Sequence, residues 1–443
     1  MSNVPSDKNF IFLKTAKKGD DFVGIKITEN EREITFPMGY VPASEKLSAS
    51  KIEPNERREI IRLINTICGC TNFKKGERIS SLNGKTAIDF PIKSALFIIE
   101  DFLDRGSYYT EKETLYTKST SGKISWTRTI KNIKPIISES GIAFLNFINR
   151  KNRIQENQLI TELHKYCVYK SFELLGFLFT SSLTEKGLLQ ESDISKNKKY
   201  YADFLQEKID STHLEASIEL FSNMKDFING FDSESEIKNA AYGTQCFQVV
   251  WESLIEKMFS TISQKQKEKY FYPQTRWIFQ NGRKRTNSPL RPDTIMIQDE
   301  KCFIIDAKYY SFAALANQKS ENADGENTDK AQNGSIPGSD SIQKQITYAE
   351  FIDSSIDNNK DSESSQNFRF EPQNIYNIFI LPESNAEKLF SYKGYATTNW
   401  KDNSKNYHKI HAITLDTKFL LENAGKKSSE MKKRLAEICA SNL

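Results

Sequence analysis

The sequence has few residues of the types that form disulfides or bind transition metals. Its 443 residues include only four His and six Cys. Cys68 and Cys70 are separated by a single residue, and no second Cys or His pair follows them at zinc-finger spacing. We therefore expect neither a disulfide framework nor a structural zinc site, and we interpret the cysteines as small buried residues in a reducing compartment.

Long apolar runs and a strong excess of one charge are also missing. No segment approaches the roughly 20 apolar residues needed to span a bilayer, and the N-terminus lacks the apolar core of a signal peptide. The 62 Lys and Arg nearly balance the 58 Asp and Glu, so the formal net charge is +4. This value neither requires nor excludes nucleic acid as a partner. We expect a soluble, cytoplasmic protein with no membrane partner.

What the chain does have is enough apolar sequence for more than one core. Hydrophobic residues make up 38% of it, and this length favours two or more domains. Residues 1–116 predict an α+β N-terminal domain for target recognition or partner docking, and residues 117–239 a basic linker followed by a helical segment. Residues 240–443 predict an α/β domain in which helices alternate with short apolar strands.

The sharpest motif is RPDTIMIQDEKCFIIDAKYY, residues 291–310. Two short apolar runs flank a turn-like Asp299-Glu300-Lys301, which predicts a β-hairpin. If residue 298 pairs with residue 301, Asp293 lies opposite Asp306. Alternation along the strand then places Lys308 on the same face as Asp306. The sequence therefore predicts two carboxylates and a lysine at one end of an apolar hairpin.

This combination has a definite chemistry. Asp293 and Asp306 provide the oxygen ligands that Mg²⁺ prefers. A metal held there polarises a phosphodiester and lowers the pKa of a bound water. Lys308 can orient that water and offset charge in the transition state. Neither a Pro-Asp dipeptide nor an Asp-x-Lys tripeptide is by itself a specific sign of catalysis. The two joined at hairpin spacing by apolar strands are far more specific.

Pro292-Asp293 and Asp306-Ala307-Lys308 together resemble the signature of the PD-(D/E)XK nuclease superfamily. The resemblance implies a restriction-endonuclease-like mixed central sheet flanked by helices, which hydrolyses phosphodiesters with Mg²⁺. It further implies that a helix over residues 247–259 supplies an acid near the metal, matched by Glu252, with Glu256 as the alternative. A helix over residues 341–352 would place Gln345 or Lys344 beside the scissile phosphate, while Tyr348 is interpreted as a packing residue.

A basic run leads directly into this motif. Residues 265–291 contain eight Lys or Arg and one acid, Glu268, with Trp277 among them. Such residues can position a duplex through its phosphates. A second basic stretch, residues 118–134, is either a contact surface for DNA or a partner, or a linker with a sheltered Trp126. The predicted DNA contacts are Arg276, Arg283, Lys284, Arg285, Arg291 and Lys344.

The order of these elements also resembles LlaJI-type restriction endonucleases, over roughly residues 120–420, and McrC-like nuclease subunits. Some members of these groups work with an AAA+ GTPase. This chain has no G-x-x-x-x-G-K-[ST] phosphate loop, so such a motor would be a separate chain.

The leading hypothesis is a type II-like restriction endonuclease that makes Mg²⁺-dependent double-strand breaks at or near a short specific sequence. It would act as a homodimer on DNA beside a cognate methyltransferase. The alternatives are the nuclease subunit of a GTPase-dependent, McrBC-like complex, a repair or recombination nuclease, an RNA nuclease, or a non-catalytic DNA-binding subunit.

Overall fold

The chain divides into two compact units. The first comprises Met1–Ala87 together with Ala241–Leu443, and the second comprises Ile88–Ala240. The computed structural model describes residues 10–17, 22–28, 31–48, 52–70, 88–89, 91–119, 121–139, 141–154, 158–179, 187–230, 239–309, 336–358, 368–384, 388–402, 404–424 and 426–442.

The N-terminal part of the first unit contributes four strands and one helix, and its strands belong to a six-stranded sheet. β1 pairs parallel with β3, which pairs antiparallel with β2. The helix buries Ile60, Leu63, Ile64 and Ile67, whose spacing places them on one helical face. The elements are β1 (Phe10–Thr15), β2 (Val23–Thr28), β3 (Glu31–Phe36), β4 (Lys46–Ser48) and α1 (Pro54–Cys70).

The second unit is mainly helical. Helices α2, α4 and α7 pack against one another, and Leu163, Cys167 and Phe221 are buried. The elements are β5 (Ile88–Asp89), α2 (Ile92–Arg105), β6 (Lys112–Lys118), β7 (Lys123–Ile124), α3 (Trp126–Asn132), β8 (Ile136–Ser138), β9 (Gly141–Ala143), β10 (Ile148–Ile154), α4 (Leu159–Leu175), α5 (Glu191–Lys196), α6 (Lys198–Ser211) and α7 (Glu215–Asn229). Trp126 is 54% exposed, so the interpretation as a sheltered residue is wrong.

The C-terminal part of the first unit alternates strands and helices. The predicted helix over residues 247–259 is confirmed, and the predicted helix over 341–352 is longer at both ends. The elements are β11 (Asn239–Thr244, across the unit boundary), α8 (Phe247–Phe259), α9 (Gln264–Tyr270), β12 (Arg276–Ile278), β13 (Lys284–Thr286), β14 (Thr294–Gln298), β15 (Lys301–Ala307), α10 (Ser339–Asn358), β16 (Ile375–Glu383), β17 (Phe390–Ala396), β18 (Ile410–Asp416), α11 (Thr417–Glu422) and α12 (Ser429–Ser441).

A five-stranded sheet in the order β14-β15-β16-β18-β17 forms the centre of this part. β14–β15 and β17–β18 are antiparallel, whereas β15–β16 and β16–β18 are parallel. Helices α8 and α10 both pack on it, and Ile304 and Ile375 belong to the core shared with α10. The predicted mixed central sheet flanked by helices is therefore confirmed. β16 continues through Pro382.

The N-terminal residues belong to the same unit as this sheet, whereas the sequence pattern divides the chain after residue 116. Side-chain contacts explain the grouping. The Met38 backbone N–H donates to the Tyr309 hydroxyl at 2.7 Å, and the Thr417 hydroxyl donates to the Met38 carbonyl at 3.0 Å. Arg62 and Glu422 form an ion pair at 2.7 Å. Such long-range contacts leave no trace in local periodicity.

None of the helices in the described ranges is long and apolar enough to cross a membrane.

Candidate active site

The predicted hairpin register is confirmed. Gln298 pairs with Lys301 and Thr294 with Ile305, so one further step places Asp293 opposite Asp306. The apolar centre of both strands is buried. The two carboxylates therefore mark the end of the hairpin where its hydrophobic sequence stops.

Hydrogen bonds and an ion pair fix the charged groups at this end. The Ala307 backbone N–H donates to Asp293 Oδ2 at 3.0 Å. Lys308 Nζ lies 2.9 Å from Asp306 Oδ2, and the Lys308 backbone N–H donates to the Ile380 carbonyl of β16 at 2.9 Å. The structure thus brings together the three residues on which the sequence-based hypothesis rests.

The closeness of Asp293 and Asp306 shifts the pKa of Asp293. Burial raises the pKa of Asp293 well above its usual range, and the negative charge of Asp306 and a hydrogen bond between the two carboxyl groups raise it further. The hydrogen bond from Ala307 opposes this shift. Two carboxylates this close disfavour simultaneous ionisation unless a cation joins them.

Glu252 on α8 lies close enough to respond to the same charges. Burial and the negative charge of Asp306 raise its pKa, and the positive charge of Lys308 lowers it. The alternative residue Glu256 instead pairs with Lys267 at 2.5 Å. The geometry therefore favours Glu252 over Glu256 as the acid nearest the carboxylate pair.

Helix α10 turns two polar side chains, Gln345 and Tyr348, toward the protein interior. Gln345 is fully buried, and neither its side-chain oxygen nor its nitrogen has a hydrogen-bond partner among the described residues. Tyr348 follows three positions later, on the same helical face, and its hydroxyl donates to the Arg291 carbonyl at 3.1 Å. Lys344 is exposed. Of the two predicted candidates on this helix, only Gln345 points inward.

Tyr348 does more than pack. It is buried in the core between α10 and the sheet, as interpreted from the sequence. In addition, burial and then the negative charges of Asp306 and Asp293 raise its pKa to about 12. Its hydroxyl therefore stays protonated near the carboxylates, and its one O–H is donated to the Arg291 carbonyl.

Lys267 on α9 is a residue that sequence reasoning missed. It is 4% exposed, and its Nζ donates to Glu256 Oε1 at 2.5 Å and to the Asp293 carbonyl at 2.7 Å. A buried lysine needs such partners because burial disfavours its charge. In the sequence, Lys267 is one of eight basic residues in the run and nothing marks it as buried. Only its position on the inner face of a short helix distinguishes it from the exposed ones.

The predicted DNA contacts lie on exposed surface. Arg276 belongs to β12, and Lys284 and Arg285 belong to β13, which pairs with it antiparallel. Arg283 lies in the turn between the two strands, and Arg291 lies directly before the Pro292-Asp293 dipeptide. Five of the six predicted residues thus follow one stretch of chain next to the carboxylate pair, and Lys344 lies on α10.

The donor set suits a hard cation with few protein ligands. No group of three or more His, Cys, Asp or Glu is arranged to hold a metal in the part of the chain that the structure describes. Mg²⁺ in nucleotide and nucleic-acid enzymes typically uses one or two carboxylates and completes its shell with water and phosphate oxygens. Asp293 and Asp306 meet that requirement, with Glu252 near them.

A mixed sheet with a carboxylate pair and a lysine at the end of its hairpin defines the PD-(D/E)XK class. The chain belongs to the LlaJI restriction endonuclease family, whose model matches residues 22–416.

Other similarities are more distant. A component of the type II restriction enzyme BsuMI, YdjA of Bacillus subtilis (strain 168), is 25% identical over 326 residues, which are 70% of this chain and 60% of that protein. An assembly of Thermococcus gammatolerans McrB AAA+ hexamers with bound McrC shares 11% identity at a TM-score of 0.34, over 94% of this chain and 83% of the other. A second McrBC structure from that organism shares 12% identity at a TM-score of 0.23. The match covers 52% of this chain and 63% of the other.

Proposed function

We propose that this protein is a restriction endonuclease that cuts both strands of DNA with Mg²⁺ bound at Asp293 and Asp306. The observation that carries the proposal is the meeting of these two carboxylates at the end of a buried hairpin, with Lys308 2.9 Å from Asp306. Surface ion pairs are common, but two carboxylates in contact are costly without a function. Membership of a restriction endonuclease family supports the same activity.

Asp293 and Asp306 would hold the metal, with Glu252 as a third acid that acts directly or through water. When bound, Mg²⁺ supplies a Lewis acid for the phosphodiester and a more acidic water. The Ala307 N–H keeps one oxygen of Asp293 oriented. The buried Lys267 fixes the backbone at Asp293 from the other side.

Lys308 is the group that can act on the reacting atoms. Its ammonium would orient the attacking water and offset the charge that develops on the phosphate oxygens. Gln345 carries an amide with no partner among the described residues, and a water or a phosphate oxygen would satisfy it. Leaving such a group unsatisfied costs about 1–3 kcal/mol, so its burial favours a ligand.

The experiment is a plasmid cleavage assay with the full chain in Mg²⁺, on unmethylated and methylated DNA. Wild type should give discrete linear fragments from unmethylated DNA, and EDTA should abolish them. Asp306→Asn should lower the rate by at least about 100-fold, because it removes charge from the metal site. A cognate methyltransferase should protect the substrate.

The matched control is Asp299→Asn, the same change at the opposite end of the same hairpin. Asp299 is exposed and has φ of 50°, a conformation that Asn tolerates well. This variant should cut like wild type. Cleavage by Asp306→Asn at the wild-type rate would overturn the assignment of the site.

A second candidate function follows from the name of the relative, which is described as a component of a type II restriction enzyme. The chain would then be the nuclease subunit of a complex, as its resemblance to McrC-like subunits also implies, with an AAA+ GTPase as a separate chain. In that case the purified chain leaves plasmid intact in Mg²⁺ alone and cuts only when the motor chain and GTP are added.

A further inference from the structure

Residues 274–288 form a two-stranded ribbon that projects into solvent. Every residue in this range is exposed, and the range contains no Asp or Glu. Trp277 is 62% exposed, Ile278 69% and Phe279 47%. Consecutive large apolar residues on a free surface usually mark a contact site.

The two faces of this ribbon, called here the aromatic face and the aliphatic face, differ in chemistry. Trp277 pairs with Arg285, and the Phe279 N–H donates to the Arg283 carbonyl at 2.9 Å, which continues the ladder. Because side chains alternate along a strand, these four residues share the aromatic face. The aliphatic face carries Arg276, Ile278, Lys284 and Thr286.

The base of the ribbon is joined to the candidate active site. Phe271, Tyr272 and Pro273 are buried directly before it. The Leu290 N–H donates to the Pro273 carbonyl at 2.9 Å, which closes the ribbon three residues before Asp293. Whatever the ribbon binds is therefore held at a fixed position relative to the carboxylate pair.

We propose that the ribbon enters a groove of duplex DNA with its aromatic face against the bases. The inference rests on the proposed nuclease function and identifies the element that reads the substrate. In the major groove, aromatic rings make apolar contacts with base edges such as the thymine methyl, and guanidinium groups donate in pairs to guanine edges. A two-stranded ribbon fits the major groove. The absence of acids makes DNA a better occupant than a neutral apolar partner.

The test compares two neighbouring residues on opposite faces. Binding of a fluorescent duplex is measured by anisotropy in EDTA, so that no cleavage occurs. Trp277→Ala should weaken binding by about 10-fold or more, because it removes a large aromatic contact from the proposed interface. Ile278→Ala removes an equally exposed apolar side chain from the aliphatic face and should bind within about twofold of wild type. Trp277→Phe, which keeps a ring, should restore most of the affinity.

Two outcomes would overturn the inference. Equal binding by Trp277→Ala and wild type would exclude the aromatic face from the DNA contact. A change in the sedimentation of DNA-free Trp277→Ala, from dimer to monomer, would identify the face as a contact between protein chains. Both are separate from the Asp306→Asn cleavage result, so the ribbon can fail while the nuclease assignment stands, or the reverse.

Discussion

At the residue scale, the site is defined by groups that are unstable without a partner. The carboxyl groups of Asp293 and Asp306 lie close together and are partly buried, and burial and mutual repulsion raise the pKa of Asp293. Lys308 forms an ion pair with Asp306. Lys267 acts behind the pair: its ammonium group forms an ion pair with Glu256 and donates a hydrogen bond to the Asp293 carbonyl.

Lys267 gives a prediction about metal affinity. Lys267→Met keeps the aliphatic volume and removes both hydrogen bonds, so the Asp293 backbone loses its anchor. Because groups behind a metal ligand typically contribute 10–100-fold to affinity, the Mg²⁺ concentration for half-maximal cleavage should rise by about 10-fold or more. High Mg²⁺ should restore most of the rate.

Lys265→Met is the control, since Lys265 lies on the same helix and is exposed. It should leave the Mg²⁺ titration unchanged. A purely structural role for Lys267 would lower the fraction of active protein without moving the midpoint, and that result would contradict its assignment as a positioning residue.

At the element scale, the β14–β15 hairpin sets the register that makes the site. Its turn residues Asp299 and Glu300 have φ of 50° and 59°. Positive φ at both central positions is the signature of a two-residue type I′ turn, which suits right-handed strand twist. Only such a tight turn places Gln298 opposite Lys301 and, five pairs further along, Asp293 opposite Asp306.

The turn predicts a stabilising substitution. Glu300→Gly removes a side chain from a left-handed conformation that costs about 1–2 kcal/mol for L-residues, and the greater freedom of Gly in the unfolded chain offsets part of this gain. The net increase in the free energy of unfolding should be about 0.5–1 kcal/mol, measured in urea.

Cleavage should not change in Glu300→Gly, because the strand places the turn about 17 Å from the carboxylate pair. Glu300→Ala, which keeps a Cβ, serves as the control and should bring no gain. If Ala stabilised as much as Gly, the loss of the Glu side chain, and not backbone strain, would be the cause.

At the scale of the whole molecule, each chain contributes the carboxylate pair of Asp293 and Asp306. Duplex DNA has two antiparallel strands, so one concerted double-strand break calls for two such sites related by symmetry. We therefore expect the proposed enzyme to act as a pair of chains on its target.

Mixing active and inactive chains tests whether the enzyme acts as a pair. Wild type and Asp306→Asn combined in equal amounts should form pairs with one active site, and these should nick the plasmid. The yield of nicked circles should exceed that of wild type alone at the same active-chain concentration, as quantified on agarose gels. If the inactive chain only dilutes the linear product, each chain cuts both strands independently.

The site was largely predictable from sequence because its parts are local. The hairpin register follows from alternation and a tight turn, so Asp293, Asp306 and Lys308 could be placed together before any coordinates. Glu252 followed from a resemblance and from a helix that the structure confirms. Lys267 could not be found this way, since its burial depends on how a short helix docks against the backbone at Asp293.

The amino-acid sequence by itself determined the β14–β15 hairpin and the helices around it, since these follow from short-range periodicity and turn chemistry. The mixed sheet was expected from the family resemblance and not from local pattern. Only the tertiary structure decided that Met1–Ala87 joins Ala241–Leu443 in one unit, that Gln345 is buried and unpaired among the described residues, and that Lys267 is buried against the Asp293 carbonyl. The physical reason is range: periodicity reports which side of an element is apolar, whereas burial and partners depend on contacts between residues distant in the chain.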